Sequence, residues 1–94
     1  VLDQPLGTAN LEQTSTLSAM PNPFNGTTVV QYGNVENQSV LRIFDLSGRT
    51  VQTFELAGDS GQVIIGGNLP KGVYFVRIEQ EGQVSKALKV VKVN

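Results

Sequence analysis

Side chains able to do chemistry are few in this sequence, and their spacing does not favour catalysis. Histidine and cysteine are both absent from the 94 residues, which removes imidazole bases, thiolate nucleophiles, disulfides and the usual zinc and copper ligands together. Asp45, followed by Leu-Ser-Gly-Arg, reads as a turn residue whose carboxylate accepts from the backbone two positions on. Glu79 and Glu81 flank a predicted hairpin tip, solvated and with no visible partner to shift them. Asp59-Ser60-Gly61 is a turn, and a serine without a base is no nucleophile. The stretch "GGNLPKG" lacks the spacing of a phosphate loop and leads into a strand, not a helix. No loop gathers the several oxygens that calcium requires. The expectation is therefore no enzyme, no metal site and no cofactor.

The cations are less evenly spread. Lys86, Lys89 and Lys92 all fall in the last predicted strand, interleaved with Val90, Val91 and Val93, and Glu79 and Glu81 stand just before it. Seven Lys and Arg against eight Asp and Glu leave a net charge of -1, so nothing draws the chain to nucleic acid or an anionic membrane over distance. No run of about twenty apolar residues is present for direct membrane insertion. By pattern alone, such a basic strand is a solvated face. Aromatic residues are 6% of the chain, without tryptophan, and Tyr32, Phe44, Phe54, Tyr74 and Phe75 lie in strands where core packing is their expected use. Phe44 and Phe75 fall on the face opposite their strands' main apolar sets. They keep open a reading as a non-catalytic surface adhesion or carbohydrate-binding module.

The elements that must position these residues are strands. Turn signals recur about every ten residues, the spacing of an all-β sandwich. "TLSAM" is a short first strand, stopped by "PNPFNG", whose Pro21 and Pro23 cannot sit in a central ladder. Phe24 is expected to cap one end of the core. "TTVVQY" places Thr28, Val30 and Tyr32 on one face, and "VLRIFD" does the same with Leu41 and Ile43. Residues 45–49 fit a three-residue hairpin loop closed by Gly48 in the left-handed region. The return strand "TVQTFEL" breaks alternation at Val51, Phe54 and Leu56, predicting a bulge. Gln80-Glu81-Gly82 is expected to repeat the three-residue device. The fold predicted is an immunoglobulin-like β-sandwich of about seven antiparallel strands. Its last strand is apolar on both faces, so it is central, bulged or half-buried. If half-buried, its edge could pair with a second copy, a possible homodimer. Residues 1–16 read as a linker and 17–94 as the folded domain. The opening "VLDQPLGTANLEQ" lacks the basic and apolar regions of a signal peptide, so an export address is expected elsewhere in a longer chain, or in the domain itself.

Three stretches, in order, resemble the type A C-terminal sorting domain of the type IX secretion system, the Por secretion system sorting domain family. They are "PNPFNGTTVVQY", "LRIFDLSGRTV" and "LPKGVYFVRIEQEGQVSKALKVVKV". The motif residues are Pro21, Asn22, Pro23, Phe24, Asp45, Gly48, Arg49, Gly72 and Tyr74. Met20 stands where the family often has tyrosine, and is expected to fill the same apolar gap. The resemblance implies a secretion signal carried as a folded domain at the end of a cargo protein. It implies an outer-membrane translocon and shuttle protein as partners, and periplasmic transit before the cell surface or release. A gingipain-like cysteine-peptidase sortase would then cut within residues 1–16. The family's terminal basic-apolar segment maps onto Lys86, Lys89, Val90, Val91, Lys92 and Val93, the expected contact for translocon or sortase. Removing residues 89–94 is expected to abolish export while leaving a folded core.

Overall fold

Alternation decides where each strand faces. A computed structural model describes residues 15–36, 38–80 and 82–94. In it Thr28, Val30 and Tyr32 are buried while Gln31 is exposed. Leu41 and Ile43 are buried between half-exposed neighbours, as are Tyr74, Val76 and Ile78. Two faces so patterned can only hide from water by packing on each other, which produces two sheets. The first has the order β1-β2-β5, from β1 (Thr16–Met20), β2 (Thr28–Gly33) and β5 (Gly61–Ile65). The second runs β4-β3-β6, from β3 (Val40–Asp45), β4 (Thr50–Glu55) and β6 (Gly72–Gln80). Beyond β6 lie β7 (Gln83–Val84) and β8 (Leu88–Lys92), end to end along its far edge. Every strand pairing is antiparallel, and the predicted sandwich stands.

The core joins Val30, Tyr32 and Ile65 of the first sheet to Leu41, Ile43, Val76, Ile78 and Val90 of the second. Full burial of such a side chain stabilises by roughly 1.5–3 kcal/mol. Phe24 caps the core from outside the named strands, 2% exposed. Residues 45–49 form the expected loop: the Gly48 amide donates to the Asp45 carbonyl at 2.9 Å and the Asp45 amide to the Arg49 carbonyl at 2.9 Å. Gly48 has φ 89°, a conformation a Cβ would resist. Ile43 pairs with Gln52 but Phe44 with Thr50, so Val51 is the extra residue of the predicted bulge.

The last strand is broken into β7 and β8, so the described residues hold eight strands, in keeping with about seven. Two expectations are corrected. Gln80 pairs directly with Gln83, so two residues, not three, close that hairpin. Met20 is 79% exposed and fills no gap: it follows Ala19 on an alternating strand and therefore faces outward. The linker assigned to residues 1–16 falls almost wholly on 1–14, outside the described residues.

Candidate functional site

Ser85 breaks the last strand. Its buried hydroxyl accepts the Ile78 amide at 2.8 Å, while its own amide donates to the Ile78 carbonyl at 2.8 Å. One residue thus fills both ladder positions of Ile78, and Lys86 and Ala87 are pushed out into water. The ladder resumes with Leu88 opposite Val76 and runs to Lys92 opposite Gly72. From there alternation sends Val90 and Lys92 inward, Lys89 and Val91 outward.

The other edge of β8 is occupied by a strap, residues 21–26. The Asn22 side chain imitates a strand: its Nδ2 donates to the Lys89 carbonyl at 2.9 Å and its Oδ1 accepts the Val91 amide at 3.1 Å. Phe24 continues the edge with backbone groups, donating to the Val91 carbonyl and accepting the Val93 amide, both at 2.9 Å, in a parallel bridge. The Gly26 amide closes the series on the Asn94 carbonyl at 3.0 Å. Thr28 ties the strap back by donating its hydroxyl to the Pro21 carbonyl at 2.6 Å. Both peptide bonds preceding Pro21 and Pro23 are cis. The two segments singled out in the sequence, "PNPF" and the basic strand, are one unit, and the strap takes up the Lys89 carbonyl, both backbone groups of Val91, the Val93 amide and the Asn94 carbonyl. The expected homodimer through that edge therefore lacks the unpaired backbone it requires.

Lys92 is 9% exposed, with Nζ donating to the carbonyls of Gly66 at 2.7 Å and Leu69 at 2.8 Å. A buried ammonium is tolerated because those turn carbonyls replace water. Gly66 has φ 101°, and a Cβ there would lie 2.5 Å from the Phe24 ring. Lysine, glycine turn and phenylalanine thus lock one corner. Tyr74 braces the same turn region, its hydroxyl donating to the Pro70 carbonyl at 2.6 Å, while Gly72 pairs with Lys92.

Of the six residues expected to meet a partner, Val90 is fully buried and Lys92 nearly so. Lys86 and Lys89 are exposed, Val93 is 51% exposed and Val91 half-buried. Removing residues 89–94 would take away Val90, the Lys92 anchor and the β8 groups that pair with the strap, so a folded core is not expected to survive it, contrary to the sequence reading. Spacing could not reveal Asn22 as a surrogate strand, nor the carbonyls of Gly66 and Leu69, because each acts on a residue far away in the chain.

The outer face of the five-stranded sheet carries a second cluster. Phe44 and Phe75 stack with centroids 5.7 Å apart, and the Arg77 guanidinium sits 5.0 Å from the Phe44 centroid, so both rings are engaged within their own sheet. Glu79 is not solitary as expected: it pairs with Arg42 at 2.9 Å and Arg77 at 2.7 Å. The Arg42 hydrogen bond, with help from Arg77, holds its carboxyl below the ordinary value. Asp45 is likewise lowered, chiefly by the Ser47 hydroxyl donating at 2.7 Å, with the Ser47 and Arg49 amides each at 3.0 Å. Arg49 adds an ion pair at 3.3 Å. Among the described residues no group of three Asp or Glu could hold a metal ion.

These features define a small β-sandwich module organised around its own last strand, which is laced in from both sides. Residues 18–93 match the secretion system C-terminal sorting domain, and the chain belongs to that family, the C-terminal sorting domains of type IX secretion. The family is not a catalytic one. No curated protein matches the chain. A sorting signal of this kind implies export to the cell surface or the medium and contact with the secretion machinery.

Proposed function

We propose that the domain directs a preceding cargo protein from the periplasm through the outer-membrane translocon, that it does no chemistry of its own, and that the machinery reads the surface β8 presents in the folded state. The observation that carries this reading is the complete internal use of β8. Its backbone edges are taken by β6 and the strap, and Val90 and Lys92 point inward. What remains for a translocon or shuttle protein is a short row of cations and valines: Lys86, Lys89, Val91 and Val93. The roles of Val90 and Lys92 in export are then to hold that row in place. A gingipain-like sortase would cut the linker within residues 1–16, leaving cargo anchored or released.

The test is a fusion of residues 1–94 behind a periplasm-directed fluorescent protein, in strains with and without a working type IX translocon. Translocon-dependent surface delivery is expected, with mass spectrometry finding a new terminus between residues 1 and 16. The double charge reversal Lys86→Glu and Lys89→Glu, at two exposed positions, is expected to cut delivery strongly while leaving the purified domain folded. Delivery of that variant at the level of the parent would refute the assignment of the row.

A further inference from the structure

Two asparagines lie in the strap, and they are held in opposite ways. Asn22 has both side-chain polar atoms engaged with β8 and is followed by Pro23, which has no backbone N–H. Asn25 is exposed, and its side chain makes no hydrogen bond among the described residues. It is also the only asparagine in the sequence that precedes a glycine. The turn itself calls for glycine at position 26, where φ is 71°, a conformation that other residues resist. A Cβ placed there would meet nothing within 4 Å, so no other part of the fold crowds that side of Gly26.

An asparagine so placed can close on its own main chain. The Gly26 nitrogen gives up its proton to base and bonds to Asn25 Cγ, and the side-chain nitrogen leaves as ammonia. Water then opens the succinimide ring. Cleavage of the new bond gives aspartate; cleavage of the old peptide bond gives isoaspartate, in which the chain continues through the former side chain. Water enters, ammonia departs, and nothing is oxidised or reduced. A side chain on the following residue hinders ring closure and proline has no proton to lose, so Asn25 is the least hindered position in the chain.

The fold restrains this reaction at one atom. The Gly26 amide donates to the Asn94 carbonyl at 3.0 Å, so the proton that must be lost is held and the nitrogen is aimed at β8. On the other side of Asn25, Phe24 is fixed by the Val91 carbonyl and the Val93 amide, both at 2.9 Å. The Gly26 bond is the last of this series, and Asn25, Gly26 and Asn94 are all exposed. It can therefore open while the sandwich stays folded.

We infer that Asn25-Gly26 is a site of spontaneous deamidation whose rate is set by the opening of the hydrogen bond from Gly26 to Asn94. Conversion puts a carboxylate at the end of the strap, and its isoaspartyl form adds a methylene to the main chain. The backbone from Phe24 to Gly26 then no longer fits the spacing of Val91, Val93 and Asn94, and the end of the strap parts from β8. The segment that laces in the last strand thus carries a chemical clock, whatever the domain delivers.

In the experiment the chain of residues 1–94 is held at neutral and at mildly alkaline pH, folded and in denaturing urea. Peptide mass spectrometry locates the conversion, and hydrogen exchange of the Gly26 amide is followed on the folded chain. Conversion at Asn25 is expected to quicken with pH, and to be about tenfold or more slower in the folded chain than in urea, because local opening limits it. Urea below the unfolding midpoint should speed Gly26 exchange and conversion in parallel. Asn25→Gln, whose longer side chain closes a larger and slower ring, is expected to melt with the parent and stay unconverted. The isoaspartyl form, separated by chromatography, is expected to melt earlier and to exchange its Val93 amide faster. Equal rates in folded and unfolded chains, or conversion that does not follow Gly26 exchange, overturns the restraint. Conversion first at another asparagine, or none in urea, overturns the site. An isoaspartyl form that melts with the parent overturns the effect on the strap.

Discussion

At the scale of single residues, the structure gives ordinary side chains unusual tasks. Asn22 does the work of a strand, Ser85 fills two ladder positions, and Lys92 replaces water over a turn with its own ammonium. Lys92→Ala would leave the Leu69 carbonyl without its donor and the Gly66 carbonyl with the Leu69 amide alone, in a buried corner. Hydrogen bonds from a charged donor contribute roughly 1.5–3 kcal/mol each, so a loss of about 3–6 kcal/mol for the two is expected by urea denaturation. Gly66→Ala combines left-handed backbone with a Cβ driven into the buried Phe24 ring. Overpacking and backbone strain together should cost about 2–4 kcal/mol. A variant as stable as the parent would show that the Phe24 ring can move aside.

At the scale of elements, the strap and β8 stabilise each other and neither is complete alone. Asn22→Ala removes two hydrogen bonds from exposed ground while leaving the Phe24 backbone bridge intact. It is expected to cost about 1–3 kcal/mol at ~0.5–1.5 per bond. The sharper reading is local: the Val91 amide, bonded to Asn22 Oδ1, should exchange with deuterium faster, while the Val93 amide on Phe24 keeps more of its protection. Equal exchange at both would mean that the strap opens as one piece. The hairpin at 45–49 shows the opposite case, an element specified wholly by neighbours in sequence. Asp45 and Gly48 fixed that turn, and the bulge at Val51 followed from three apolar positions out of step.

At the scale of the whole molecule, the charges set the response to acid. Asp45 and Glu79 hold their protons less readily in the folded chain than in the unfolded one, since both are lowered from their ordinary values. As pH falls the unfolded chain takes up these protons first, so their stabilisation is complete above about pH 5 and is lost as pH drops through ~4 and below. Urea midpoints are expected to fall between about pH 6 and pH 3, and Glu79→Gln should flatten part of that fall. From about pH 6 to 8 the midpoint should stay level, because no histidine or cysteine is present to titrate there. A midpoint that rose on acidification would contradict the ion pairs of Glu79 with Arg42 and Arg77.

What the sequence determined by itself was everything carried by neighbours and by period. Alternation at Val30 and Tyr32, Leu41 and Ile43, or Tyr74, Val76 and Ile78 specified strands, their inward faces and hence two sheets, because a period of two leaves one side to bury. The motif order was sufficient to point to the family. Tertiary structure decided which of the flagged residues face water. Alternation could not say that Lys92 points inward, because burying a lysine is costly until two carbonyls distant in the chain close over it. Nor could "PNPF" disclose its partner: a turn that lends its backbone and an asparagine amide to a strand some seventy residues away has a local signature no different from any rigid turn.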